Sequence, residues 1–303
     1  MGDRGTLLCA PNISEGRDPV AIEALTEVLR AAAVRVLDVR SDPDHHRTVF
    51  TYASDPASVL AATCLLAAAA LDRIDLRNHS GGHPRIGAVD VVPFVRVHGV
   101  SEDAAQDVAR AFGAWAGERG LPVYYYEASA TRREHVDLPS IRRGEFEGLA
   151  EKMADPAWRP DEGPASPHPR WGAVVTGVRA PLVRFNVNLA SDDVDAARQI
   201  AGRIRTSGGG HAALRAIGVA LESRGVAQVS MNLIRHEETS IASAYRAVEH
   251  EAGSLGIEIA DTELPGDLPA AALVNAVREL LHVRELAPGQ LMELAALPDD
   301  PES

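Results

Sequence analysis

The stretch VRVLDVRSDPDHHRTVFTYA, residues 34–53, contains two strand-like runs separated by a short polar turn. The runs 34–40 and 47–53 are rich in β-branched residues, and the Ser, Asp and Pro between them are turn formers. So short a connection predicts an antiparallel hairpin, because parallel strands need a crossover of a dozen or more residues. Residues 214–221 and 226–234 show the same arrangement. The two pairs favour an α+β fold over the alternative, a doubly wound parallel sheet.

Helix signals flank the strand pairs. Asp18–Pro19 and Asp55–Pro56 have the form of an N-cap followed by a first-turn proline. The resulting order βαββαβ occurs in both halves of the chain, with one extra helix and strand in the first. This order is typical of ferredoxin-like units, in which an antiparallel sheet carries helices on one face. We therefore expect two such subdomains packed side by side, covering residues 1–180 and 181–303.

The segment DPAWRPDEGPASPHPRWG, residues 155–172, marks the expected boundary between the halves. Its five prolines exclude regular structure. It is either a plain linker or a loop lying across a cleft. Trp158 and Trp171 favour the loop, because free linkers rarely carry large aromatic side chains.

Composition and charge exclude several classes of function. The 303 residues are 46% hydrophobic and 24% charged, which is typical of a globular protein. A net charge of −13 without a basic stripe argues against a nucleic-acid partner. The apolar stretch Val59–Leu71 is too short for a bilayer span, so we expect a buried helix and no membrane partner.

The chain has two cysteines and one lysine. Cys9 and Cys64 lie far apart without metal-type or redox-type spacing, and no leader segment is evident, so we expect a reducing, cytoplasmic location. Lys152, in what looks like an exposed helix end, is the single lysine. Its setting argues against enzymes that need a Schiff-base or phosphate-loop lysine.

The stretch HSGGHPRIGAVD, residues 79–90, places His83 and a rigid Pro84 behind a glycine pair. Glycine reaches backbone conformations that other residues avoid, and proline fixes φ. The pattern predicts a shaped loop that leads into a strand and presents a titratable imidazole. A solvated surface turn is the other interpretation.

Seven segments of the chain carry a family resemblance. In order they are APNISEGRD (10–18), RTVFTY (47–52), GGHPRIGAVDVVPF (81–94), IRRGEFEGL (141–149), WRPDEGP (158–164), FNVNL (185–189) and AQVSMNL (227–233). Together they closely resemble the formiminotransferase domain of formiminotransferase-cyclodeaminase, also called glutamate formimidoyltransferase, from about Cys9 to Ala272. The cyclodeaminase domain has no counterpart in these 303 residues.

The resemblance implies transfer of a formimino group from N-formimino-L-glutamate to N5 of tetrahydrofolate, the co-substrate, without a metal. It also implies two ferredoxin-like subdomains with a folate groove between them, and a homodimer. The histidine of the H-P-R-x-G motif, here His83, is implied to be the general base. The folate-binding segment is implied to correspond to Pro164, Ala165, Ser166, Pro167, His168, Pro169, Arg170, Trp171, Gly172 and Ala173.

Other candidate residues follow from the chemistry of formimino transfer. A histidine with a pKa near neutrality can take the proton of the attacking amine and return it to the leaving amine. Carboxylates suit the amidinium cation of the donor, whereas arginines can hold its carboxylates bidentately. The candidates are Asp38, Asp42, Asp44 and Asp90 for the cation, and Arg47 and Arg85 for the carboxylates. Asn186 and Asn188 alternate on a strand and suit the edge of a pterin.

Three residues depart from the family pattern near the expected site. Arg40 stands where an aspartate is usual, His46 where an asparagine is usual, and Gly82 where a glutamate is usual. Arg40 and His46 are therefore candidate donor-binding residues, with Arg40 positioned for a donor carboxylate. The departures also leave open a folate-binding protein without transfer activity. A metal-dependent hydrolase is a third hypothesis, built on Asp42, Asp44, His45, His46, His79 and His83.

Overall fold

The computed structural model describes residues 5–221, 224–266 and 268–291. They form a mixed α+β protein with two sheets. Two compact units divide between Arg179 and Ala180. The proline-rich segment 155–172 lies inside the first unit, so the expectation that it separates the halves is wrong.

The first unit contains the predicted β3–β4 hairpin and the predicted capped helices. Its elements are β1 (Thr6–Cys9), β2 (Asn12–Ile13), α1 (Pro19–Arg30), β3 (Arg35–Asp42), β4 (Arg47–Ser54), α2 (Pro56–Arg73), β5 (Val89–His98), α3 (Glu102–Gly117), β6 (Val123–Tyr125), α4 (Leu138–Arg142), α5 (Glu145–Ala154) and β7 (Val174–Val178). Asp18 and Asp55 accept backbone N–H groups at the starts of α1 and α2. The sequence did not predict α4 or β7, and of α5 it indicated only a helix end at Lys152.

The sheet of the first unit is mixed rather than antiparallel. Strands β3, β4, β1, β2 and β5 pair antiparallel, whereas β7 pairs parallel to both β5 and β6. Strand β7 thus lies between β5 and β6, and the chain reaches it from β6 through α4 and α5. An antiparallel sheet was expected because this crossover was not predicted.

Two cores lie on opposite faces of this sheet. Phe50, Tyr52 and Phe94 lie in the larger core, which includes buried residues of α1, α2 and α3. On the other face, Val91, Tyr124 and Val175 pack with Ile141 of α4 and with Leu149 and Met153 of α5. The sequence placed helices on one face only, and α4 and α5 correct that expectation.

Helix α2 contains the apolar stretch singled out in the sequence. It extends to 18 residues, and by length and composition alone it could cross a membrane. Val59, Ala62, Leu66 and Ala70 are buried and belong to the core of the first unit. The expected buried helix is therefore present.

The second unit has a four-stranded antiparallel sheet in the order β11–β8–β10–β9. Its elements are β8 (Val183–Leu189), α6 (Val194–Ile204), β9 (Leu214–Leu221), β10 (Val226–Leu233), α7 (Ile241–Ser254), β11 (Ile259–Glu263) and α8 (Ala270–Leu281). Asp193 caps α6 by accepting the Ala196 N–H. Phe185, Val187 and Leu189 lie in the core with residues of α6 and α7, so alternation turns Asn186 and Asn188 to the opposite face of β8.

A close backbone contact joins the loop before β5 to the residues before β7. The Ala173 N–H donates to Ile86 O at 2.9 Å, and the Ala88 N–H donates to Trp171 O at 3.0 Å. Gly172 has φ +70°, and a Cβ on it would lie 2.0 Å from Ile86 O. Only glycine fits this position without displacing the loop that carries His83.

We expect Gly172→Ala to lower the free energy of unfolding by about 1–3 kcal/mol. The substitution adds a Cβ to a residue whose backbone is in the left-handed region and where there is no space for it. Gly148→Ala in α5 is the matched control, since a Cβ there meets nothing within 4 Å. It should raise stability by about 1 kcal/mol through helix propensity. Chemical denaturation of both variants measures the difference, and equal effects would contradict the close-contact interpretation.

Candidate active site

The loop that carries His83 lies against the turn of the β3–β4 hairpin. The Gly82 N–H donates to Asp44 O at 3.1 Å, and His79 Nε2 lies 2.9 Å from His46 O. A Cβ on Gly81 would lie 2.6 Å from His45 O, so the glycine permits the close approach. The predicted shaped loop is present, and its position next to strand β4 places His83 beside that strand.

Arg47 is the polar partner of His83. Its Nη1 donates to His83 Nε2 at 2.6 Å. Arg47 is the first residue of β4 and pairs across the hairpin with Asp42 of β3. Because Phe50 and Tyr52 of β4 are in the core, alternation turns Arg47 and Asp42 to the opposite, polar face of the sheet.

The charges around His83 are mostly positive. Burial, followed by Arg47, Arg142 and His45, lowers the pKa of His83 to about 3, and Asp42 opposes the shift. The rings of His45 and His83 meet edge to face with centroids 6.1 Å apart. The imidazole is therefore neutral at physiological pH. The pKa of His83 is lower than the near-neutral value expected for a general base.

Arg142 is the residue near His83 that sequence reasoning missed. It lies in α4 and forms an ion pair with Asp90, which is 1% exposed. Asp90 also accepts the Ile86 N–H at 2.8 Å. The predicted ligand Asp90 thus holds the loop and Arg142 in place. The only sequence signal for Arg142 is its position in the segment IRRGEFEGL.

Arg85 is engaged within the chain rather than open to a ligand. It is 6% exposed and donates to Glu147 at 2.6 and 2.8 Å and to Glu145 at 2.9 Å. Its Nε also donates to His79 Nδ1 at 3.2 Å. These residues line an open cavity of about 490 Å³ together with Ser80, Gly81 and Gly144.

His46 occupies a left-handed backbone position with φ +52°. Glycine adopts this conformation most readily, and among other residues asparagine, aspartate and histidine are enriched in it. In this chain the imidazole lies 2.9 Å from Ser80 O, lies 3.2 Å from Glu15 and stacks on His79 with centroids 4.1 Å apart. His46 therefore holds the loop to the hairpin turn.

The other two residues that depart from the family pattern, Arg40 and Gly82, lie on the hairpin and in the His83 loop. Arg40 pairs across the hairpin with Val49, which by alternation places it on the same polar face as Arg47. It is half-exposed, and its guanidinium lies 3.4 Å from Asp38. A Cβ on Gly82 would meet only Asp44 O, at 3.7 Å, which is an ordinary van der Waals contact.

The remaining hairpin carboxylates have different surroundings. Asp42 accepts the backbone N–H groups of Asp44 and His45 at 3.0 and 2.9 Å and also pairs with the His45 ring. It therefore caps the turn of the hairpin. Asp44 is exposed.

The predicted folate-binding segment has two parts. Pro164, Ala165 and Ser166 are exposed. Residues 168–172 form a tight turn in which His168 stacks on Trp171 with centroids 4.1 Å apart. Pro167 is partly buried and Pro169 is exposed, while Arg170 donates to Ile74 O and Asp72 O. Gly172 and Ala173 are buried against the His83 loop, so this end of the segment is the part that the structure brings to the site.

Asn186 and Asn188 lie on the polar face of the second unit. Asn186 accepts from Ser230 at 3.0 Å. Asn188 is fully buried, accepts from Gln228 at 2.8 Å and donates to Asp261 and to Glu263. The amide of Asn188 is thus already engaged, and contact of either side chain with a ligand stays a prediction.

Lys152 differs from its expected setting. It is partly buried, donates to Ser140 O and Ile141 O at 2.5 and 2.7 Å, and lies 4.0 Å from the centroid of the Trp158 ring. Burial, reinforced by Arg143, lowers its pKa to about 8. Its role in this geometry is to fasten α5 to the end of α4, which carries Arg142.

The six side chains considered for a metal hydrolase do not gather into a ligand set. Within residues 5–221, 224–266 and 268–291, no group of three or more His, Cys, Asp or Glu side chains is arranged to hold a metal ion. His46 and His79 face each other in a stack, and His83 accepts from Arg47.

Comparisons with known proteins cover both units. The formiminotransferase domain, N-terminal subdomain, matches residues 6–179, and the formiminotransferase domain matches residues 184–287. Glutamate formimidoyltransferase of Streptococcus pyogenes serotype M1 is 39% identical over 279 residues, which are 91% of this chain and 93% of the relative. The protein of the same name from Thermoplasma acidophilum is 34% identical over 94% of this chain and 95% of its own length.

A third relative is formimidoyltransferase-cyclodeaminase of Rattus norvegicus, 39% identical over 276 residues. The match covers 88% of this chain and 51% of the relative, so the chain spans about half the length of that protein. The resemblance inferred from the seven segments is confirmed. The chain belongs to the formiminotransferase family.

Proposed function

We propose that this chain is a folate-dependent formimidoyltransferase. It moves a formimino group from N-formimino-L-glutamate, or a related N-formimino amine, to N5 of tetrahydrofolate. Family membership over nearly the full chain supports the reaction class, as do two relatives named glutamate formimidoyltransferase. The observation that carries the assignment of the site is the neutral imidazole of His83 among cationic side chains on the polar face of the first unit.

In this proposal His83 serves as the base. N5 of tetrahydrofolate attacks the amidine carbon, and its proton passes to Nε2 of His83. The tetrahedral intermediate then breaks its bond to the glutamate nitrogen, which leaves with the proton that His83 returns. Each proton taken up is given back, so one imidazole serves both steps.

Charge on the polar face supports binding of the donor. Arg47 can attract its carboxylates, and Asp38 and Asp42 on the same face can attract its amidinium. The turn at residues 168–173 lies against the His83 loop, which suits the folate role assigned to that segment.

The finer structural and cellular features are part of the proposal. We propose a ferredoxin-like subdomain in each unit, supported in the second by its antiparallel strand order. The domains, residues 1–180 and 181–303, would be the two parts of one formiminotransferase. The protein would act as a cytoplasmic homodimer on small-molecule substrates.

A folate-binding protein without transfer activity is the second candidate. The observation in its favour is Arg40, a cation on the face where the amidinium donor would bind. Turnover with any N-formimino amine excludes it, and tight folate binding without turnover supports it.

We expect the purified chain to form 5-formiminotetrahydrofolate from formiminoglutamate and tetrahydrofolate, detected by absorbance and mass. His83→Ala should keep folate binding and lose about 10²–10⁴-fold in kcat, the usual contribution of general acid–base catalysis. His250→Ala, an exposed histidine of α7, is the matched control and should retain wild-type turnover. Failure with every N-formimino donor would refute the function, and near-wild-type turnover of His83→Ala would refute the role of His83.

Arg40→Asp should raise kcat/KM for formiminoglutamate several-fold, because it replaces a cation near the amidinium by a carboxylate. Arg40 is half-exposed, and exposed charge pairs contribute up to about 1 kcal/mol. The measurement is kcat/KM at fixed tetrahydrofolate and low salt. An unchanged value would mean that Arg40 does not face the donor.

A further inference from the structure

We propose that Arg47 caps the base in the ligand-free protein and that a carboxylate of the donor draws Arg47 away, so that His83 becomes competent only when the donor is bound. Arg47 would thus be a positioning residue that acts through His83. This inference rests on the proposed function, since it requires a donor that carries a carboxylate.

The geometry of the imidazole requires the cap to move. A neutral imidazole has one acceptor nitrogen, and the other nitrogen carries the proton. Here Nε2 accepts from Arg47 at 2.6 Å, which places the proton on Nδ1. No acceptor site then remains on His83 for the proton of an attacking amine.

Arg47 is the cation that directly occupies His83. Arg142 also acts on the imidazole by charge, but it is paired with buried Asp90. His45 is held by Asp42. The charged side chains with the largest effect on the pKa of His83 are Arg47, Arg142, His45 and Asp42.

A carboxylate is the chemical class that can displace this contact. A guanidinium–carboxylate contact joins two opposite charges and is often bidentate, so it is stronger than the single hydrogen bond from the guanidinium to a neutral imidazole. An amino-acid donor would therefore bind Arg47 and expose Nε2 in one event.

Displacement of Arg47 from His83 by the donor, here called the gate, predicts a specific pH dependence of the kinetics. The acid limb of kcat/KM reports the free enzyme, and that of kcat reports the complex. Removal of the cation from His83 raises the pKa of the imidazole, so kcat should fall at a higher pH than kcat/KM. At pH values between the pKa of His83 in the free enzyme and its pKa in the complex, KM should fall together with kcat as the pH is lowered. The reason is that the donor complex then becomes protonated at His83 and does not react.

The test combines these profiles with histidine NMR of the full chain, with His83→Gln used to assign the signal. The variants are Arg47→Met, which removes the cap, Arg47→Lys, which keeps a cation, and Arg35→Met, which removes an exposed arginine at the far end of β3. In the ligand-free protein, the His83 signal of Arg47→Met should titrate at a higher pH than that of wild type and move part of the way towards 6.5. Arg35→Met should match wild type.

Excess L-glutamate, which carries the carboxylates but no formimino group, should raise the His83 pKa of wild type more than that of Arg47→Met. Equal His83 titrations in wild type and Arg47→Met, or no response of wild-type His83 to L-glutamate, would overturn the gate. Coincident acid limbs of kcat and kcat/KM in wild type would do the same. The NMR titrations require no turnover. A failure of formimino transfer in the product assay would therefore refute the proposed function without deciding whether Arg47 acts on His83.

Discussion

Two backbone segments of the first unit approach so closely that no side chain fits between them. A Cβ on Gly87 would lie 1.9 Å from Ala173 O, and one on Gly172 would lie 2.0 Å from Ile86 O. This contact joins the start of β5 to the start of β7, which are adjacent parallel strands. The loop that carries His83, which leads into β5, is therefore held in one position relative to β7.

From that constraint the electrostatics of the site follow. Asp90 is buried at the start of β5, where it holds Arg142, while the hairpin brings Arg47 to the imidazole from the other side. The chain as a whole has a net charge of −13, yet the side chains that act on His83 are mainly cationic. Local geometry thus produces a neutral base surrounded by groups that favour anions.

Local patterns in the sequence predicted the parts of the fold that depend on neighbouring residues. The two hairpins, the Asp–Pro helix starts and the buried helix at 56–73 are of this kind. Helix α4 and the start of α5 were missed because Pro139, Gly144 and Gly148 interrupt a short amphipathic pattern. Strand β7 was missed because its parallel pairing with β5 joins segments more than 80 residues apart, and local alternation carries no information about such a partner.

The candidate site shows the same difference between features set by neighbouring residues and features set by distant ones. His83 and Arg47 stand out from composition and from the family segments, because each lies in a motif of its own. Arg142 does not, since its pairing with Asp90 spans 52 residues. The pKa of His83 was also beyond sequence reasoning, because burial and two arginines from separate elements determine it.

The central claim is that the resting imidazole of His83 is neutral and accepts at Nε2. Long-range ¹H–¹⁵N correlation spectra of the ligand-free, histidine-labelled protein at neutral pH test it most directly, because they distinguish both tautomers from imidazolium. We expect a neutral His83 ring that is protonated at Nδ1 and has an unprotonated, hydrogen-bonded Nε2. A ring protonated at Nε2, or an imidazolium, would contradict it.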